Sequence, residues 1–318
     1  MIKIEFFYVL AGLALMLVGV LAWRDSSNPK RHTSALFWGV YGALMVCSTW
    51  LPPAYSGALV LLLALLGGLG GVGKGQEHAP DVSERLAHVA RLGNWLFAPS
   101  LLIPLLTVVG AVLLKDMHFG GKPLLDQGNL TMVSLGIGCL IALAWAHRLT
   151  GARPAQSVHE TKRLLEAMGY AVILPQLLAM LGMLFNDVGV GKAVAHLATQ
   201  YLPMDQRWAA VGTYAVSMTL FTMIMGNAFA AFPVMTAGIG IPVLVGQYHG
   251  DPAVMAAIGM FSGYCGTLMT PMAANFNIVP ATLLDLEDRN AVIKRQIPTA
   301  LGILLINIVL MNLLMFRK

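Results

Sequence analysis

The sequence predicts an all-α, polytopic integral membrane protein of about ten transmembrane segments, with broken helices and a candidate re-entrant hairpin among them. Three observations predict it. Hydrophobic residues make up 57% of the 318 and charged residues only 11%, where a soluble domain carries about 25% charged. The mean hydropathy of +0.73 is spread over apolar stretches along the whole chain. Two of those stretches, GNAFAAFPVMTAGIGIP (Gly226 to Pro242) and GYCGTLMTPMAANFNIVP (Gly263 to Pro280), carry Gly, Pro, Asn and Thr where a plain spanning helix would carry Leu.

A span needs roughly 20 apolar residues. Candidates cover 5–23, 34–50, 56–72, 95–114, 130–147, 168–185, 208–225, 228–246, 253–272 and 297–316. The first is read as a span, because it is too long for a signal core and no small-x-small cleavage site follows it before Arg24. The net charge of +5 is read loop by loop, as topology rather than nucleic-acid affinity. If Arg24, Lys30 and Arg31 are cytoplasmic, alternation places Lys74, Arg85, Arg91, the Arg148–Arg163 cluster and the Arg289–Arg295 cluster on the same side, with both termini outside. The chain then forms a single transmembrane domain over 1–318, whose halves 1–150 and 164–318 are joined by the basic cytoplasmic loop Thr150–Arg163.

Between spans, the Asp81…Glu84 spacing predicts a short amphipathic helix with Glu84, Arg85, His88 and Arg91 on one side. Asn186 to Pro203 repeats apolar residues at helical spacing but is too short to span, so it reads as interfacial or re-entrant. GLGGVGKG (Gly68 to Gly75) imitates two nucleotide-binding loops. However, Gly75 stands where a magnesium-binding Ser or Thr is needed, and a membrane segment precedes the loop instead of a strand. It reads as a flexible helix exit. Cys47, Cys139 and Cys265 are too scattered for a disulfide framework or zinc site, and no clustered His, Asp, Glu or Ser-Lys group suggests an enzyme.

The chemistry concentrates in the two interrupted stretches. Pro233, Pro242, Pro271 and Pro280 each remove a backbone donor. Broken backbone at membrane depth is tolerated where it lines a cavity or is buried in protein, and paired breaks point to a transporter's binding site. Asn227, Thr236, Thr267, Thr270, Asn275 and Asn277 supply donors and acceptors without the cost of a buried charge. Helix N-termini after each break suit a carboxylate. Alternatively, these side chains only hydrogen-bond between helices. Gln176, after Pro175, and Ser100, between Pro99 and Pro104, mark kinks in other spans; either can add a polar group to the site, and for Ser100 the alternative is a local bond back to its own helix. Asp187, at the end of the sixth span, is either a proton or sodium relay or a solvated helix end. His249 and Asp251 read as loop residues, and Lys162 with Glu166 as a surface i,i+4 pair.

These two runs, with FAPSLLIPLLTVVGA (Phe97 to Ala111) and ILPQLLAMLG (Ile173 to Gly182), resemble the larger subunit of a bacterial two-component 5-oxoproline (pyroglutamate) permease family, over nearly the whole chain. The family is also distantly similar to the ion transporter superfamily, with its inverted repeats and re-entrant hairpins. The resemblance implies a secondary active transporter subunit of the bacterial inner membrane, working by alternating access. It implies 5-oxoproline as the substrate, a second, shorter membrane subunit as partner, and no cofactor beyond a coupling sodium ion or proton. The alternatives are a carrier of another small carboxylate and a non-transporting assembly subunit.

Overall fold

A computed structural model describes residues 1–75, 86, 89–115, 117–119, 122–201 and 204–316. Seven of the described helical runs are long and apolar enough to cross a membrane: Ile4–Arg24, Val89–Leu113, Gln127–Thr150, Pro154–Phe185, Arg207–Met225, Ala228–Gln247 and Ala291–Leu314. The chain is a multi-pass membrane protein. Pro53–Gly68 and Pro252–Leu268 are apolar but shorter. At 17 residues the latter rises about 26 Å, less than the roughly 30 Å of a hydrocarbon core. By length and composition, seven of the described helical runs qualify as full-length spans. The expected amphipathic helix starting at Asp81 lies outside the described residues.

The chain divides into two compact units, Met1–Gly169 and Tyr170–Lys318. The division falls after the expected Thr150–Arg163 connector, because most of that connector is helix α6 (Pro154–Met168) of the first unit. The preceding helices of this unit are α1 (Ile4–Arg24), α2 (Arg31–Cys47), α3 (Pro53–Gly68), α4 (Ala98–Leu113) and α5 (Leu130–Thr150). α1 and α2 form a close antiparallel pair. A Cβ on Gly12 would lie 2.7 Å from the carbonyl oxygen of Gly42, and one on Gly19 would lie 3.1 Å from that of Ala35. Small residues permit this approach of backbones. α4 and α5 pair likewise, with Gly110 against Ser134 and Gly138 against Ile103. Pro104 sits inside α4, and the Ser100 hydroxyl donates to the carbonyl oxygen of Phe97 at 2.8 Å, the local back-bonding that commonly accompanies a bend. A two-residue β pairing, His118–Phe119 with Lys122–Pro123, lies between α4 and α5.

The second unit contains α7 (Leu174–Asp187), α8 (Val190–Tyr201), α9 (Arg207–Met225), α10 (Ala228–Met235), α11 (Pro252–Leu268), α12 (Ala274–Leu283) and α13 (Ala291–Leu314). Pro175 falls in the first turn of α7, where a missing N–H is harmless, directly after the break at Gly169–Val172. α10 runs without interruption into a π-helical stretch, Thr236–Gln247. This rod folds back along α9: Tyr214 and Thr236 hydroxyls meet at 3.3 Å, and the Tyr248 hydroxyl donates to the carbonyl oxygen of Met204 at 2.6 Å. The interruption expected from Pro233 and Pro242 is thus the two-residue turn Gly226–Asn227, and both prolines lie within the returning rod. α11 runs parallel to α9, its Gly259 against Tyr214 and its Gly263 against Met218. α13 returns alongside α11, with the Asp251 N–H donating to the Met315 carbonyl oxygen at 2.9 Å.

α7 and α8 lie successively along α10 and the π-helical stretch. Leu178 meets Gly226, Gly182 meets Ala230, and Gly191 meets Val234. The chain keeps its direction past Gly189 (φ 76°), and the segment expected to lie at the interface or re-enter packs against α10 and the π-helical stretch. Tyr214, Met218, Ile239, Leu244, Met255 and Met311 form the core of this unit.

Candidate functional site

The end of the second unit where α9 turns into α10, and α11 breaks before α12, gathers most of the expected site residues. Gly226 ends α9 in the left-handed conformation (φ 69°), donating its N–H to the Thr222 carbonyl oxygen at 2.7 Å. A Cβ there would lie 2.8 Å from the backbone carbon of Met272, so the turn and the break touch and only glycine fits. Asn227 caps α10, its Oδ1 accepting from the Phe229 N–H at 2.8 Å.

Thr270 joins the two interruptions. Its hydroxyl donates to the Met223 carbonyl oxygen at 2.8 Å and accepts from the Met272 N–H at 3.2 Å. Asn277, fully buried, donates its Nδ2 to the carbonyl oxygens of Thr267 and Thr270 at 2.9 and 2.6 Å, satisfying acceptors that the break leaves open. Turning the amide over would face Oδ1 to both carbonyls, so the donor arrangement is fixed by chemistry, and Oδ1 is buried without a partner among the described residues. The Thr267 hydroxyl bonds back to the Gly263 carbonyl oxygen at 3.2 Å.

Within this frame lies a cavity of about 110 Å³, room for several waters or a compact solute. Asn227, Ala228 and Phe229 line it from the start of α10, and Asn275 and Phe276 from the start of α12. Tyr264 and Thr267 of α11 and Pro175 of α7 complete the wall. Two helix N-termini therefore open on one small space, and the backbone N–H groups of Ala274 and Asn275 find no acceptor among the described residues. Among the described residues, no carboxylate, imidazole, ammonium or guanidinium lies in the wall. Such a site favours a small anion through dipoles and amides.

Asn227, Thr267 and Asn275 meet at the cavity, and Thr270 and Asn277 hold its frame. Asn275 is exposed and its side chain makes no hydrogen bond among the described residues. Thr236 lies elsewhere, against Tyr214. Gln176 sits on the exposed side of α7 next to Pro175, outside the wall, and Asp187 is exposed at the far end of that helix. Tyr264 carried no sequence signal beyond lying in an apolar stretch, and Pro175 signalled only a kink beside Gln176.

The first unit holds a polar cluster that the sequence reading mistook for a surface pair. Lys162 and Glu166 are buried, and the Lys162 ammonium donates to Glu166 Oε2 at 3.1 Å and to Asp25 Oδ2 at 2.8 Å. Burial pushes the Asp25 carboxyl up, but the hydrogen bonds from Lys162 and Ser27 outweigh it and hold the group below its ordinary 3.8. The glycine loop Gly68–Gly75 lies over this cluster. Gly73 donates to Ser34 Oγ at 2.9 Å and Gly75 to Glu166 Oε2 at 3.4 Å, so both donors are spent on the protein itself.

A model of the family described as "Protein of unknown function (DUF979)" matches residues 5–316. The chain belongs to this family. For this DUF979 chain no match was found among curated proteins or among solved structures. The match spans α1 to α13, and so takes in the cavity and the buried Lys162 cluster together.

Proposed function

We propose that this DUF979 protein is the larger subunit of a secondary active permease that carries a small organic acid across the bacterial inner membrane, with 5-oxoproline the first candidate. The observation that supports this reading is the cavity framed by the starts of α10 and α12, with Asn227 and Asn275 on its wall. A carboxylate answers the two helix N-termini, and a lactam matches the amides. Alternating access would reshape the contacts between the Gly226–Asn227 turn and the Met269–Ala273 break. The driving gradient is of protons or sodium ions, and a second, shorter membrane subunit works with this one.

Uptake of labelled 5-oxoproline into vesicles containing the protein, with and without that partner, tests the reading. Gradient-dependent uptake that Asn275→Ala abolishes, with the protein still in the membrane, is the expected result. Uptake of a different organic acid instead would overturn the substrate. Uptake unaffected by Asn275→Ala and Asn227→Ala would make this chain an assembly subunit.

A further inference from the structure

On the outer side of the α1–α2 pair lies a half-open groove of about 560 Å³, within the roughly 300–1,000 Å³ range of small-molecule sites. It is independent of the cavity in the second unit. Its floor is made of small residues, Gly19, Ala35, Gly39 and Ala43, and one end is closed by Trp23 and His32, whose rings meet edge to face at 6.1 Å. The groove is apolar along its length and polar only at that end, where α1 finishes and α2 begins.

That end is also basic. The Arg31 guanidinium donates to His32 Nε2 at 3.2 Å, which places it at the mouth, and Arg24 follows Trp23 directly. Neither arginine has an acidic partner among the described residues. The neighbouring carboxylate, Asp25, is committed to Lys162 and Ser27. An apolar trough along the candidate span α1, with arginines lacking acidic partners among the described residues at its end, matches a molecule that has an apolar tail and an anionic head.

We propose that the α1–α2 groove is a binding site for an anionic phospholipid, one acyl chain lying over Gly39 and the phosphate meeting Arg24 and Arg31. Gly39 supplies a clean probe. A Cβ built there meets nothing within 4 Å, so a larger side chain fills the groove without displacing the helices, whereas Gly19 is pressed against α2 and tolerates no such change.

The test is native mass spectrometry of the full-length protein released from detergent micelles containing phosphatidylglycerol or phosphatidylcholine with identical chains. The expected result is a bound phosphatidylglycerol retained about tenfold or more over phosphatidylcholine, the order set by two guanidiniums facing one head group. Gly39→Leu removes the bound lipid, and Arg24→Gln with Arg31→Gln removes the preference while leaving the groove intact. Equal retention of the two lipids by the unaltered protein, or a preference that survives the double arginine change, would overturn the proposal. So would retention in a folded Gly39→Leu protein. The arginine arm decides the matter if Gly39→Leu fails to fold.

Discussion

The hydroxyl of Thr270 donates to the carbonyl oxygen of Met223 at 2.8 Å, tying the end of α9 to the break after α11. Two interruptions that are 47 residues apart in sequence thereby become one structure. Thr270→Val keeps the shape and removes both the donor to Met223 and the acceptor for the Met272 N–H. The expected loss is about 1–3 kcal/mol, read as a lowered thermal unfolding midpoint in detergent. Thr236→Val, which loses a longer contact to Tyr214, should cost less. Equal losses would mean that the tie does not organise the site.

Asn227 and Asn275 separate by what each does besides facing the cavity. Asn227→Ala loses a helix cap, about 1 kcal/mol, and Asn227→Ser should recover it. Asn275→Ala removes an exposed side chain without a partner, so stability should stay within about 0.5 kcal/mol. Unfolding curves for the three variants, set beside 5-oxoproline uptake, distinguish a binding defect from a folding defect.

Lys162 is shared between two carboxylates, the buried Glu166 and the partly buried Asp25. Lys162→Met removes the one cation that the described residues place between Asp25 and Glu166 and should destabilise by about 3–5 kcal/mol. Because the folded Asp25 carboxyl is held below 3.8, its contribution is fully present above that value and is lost as pH falls through the lower folded value. Unfolding midpoints measured on the acid side should therefore fall more steeply for the unaltered protein than for Asp25→Asn.

Gly226 and Gly151 share a left-handed backbone, φ 69° and 71°, but differ in surroundings. A Cβ on Gly151 meets open space, so Gly151→Ala should cost only the backbone strain of about 1–2 kcal/mol. Gly226→Ala adds collisions with Leu178 and Met272 and should cost clearly more. Comparable unfolding midpoints for the two variants would contradict the close contact of turn and break.

Hydropathy made the long helices legible, because burial in lipid leaves a continuous apolar run. The interruption near Pro233 was legible as well, but its cause was not. A Gly226–Asn227 reversal satisfies the chain locally, and whether a proline stops a helix or sits within one depends on the neighbours it packs against. Asn275 and Asn277 looked equivalent in sequence. Two positions on a helix lie roughly 200° apart around its axis, so one reaches the cavity and the other plugs the end of α11. The partnership of Lys162 with Asp25 joins residues 137 apart and had no local signal.

Among the described residues, the cavity wall contains Asn, Thr, Tyr and backbone amides but no carboxylate, imidazole, ammonium or guanidinium. Acidification across the range in which organic acids gain their proton therefore changes the visitor before it changes the host. Apparent affinity should track the ionised fraction of the solute, and two acids of different acidity should give binding curves displaced along the pH axis by the difference between them.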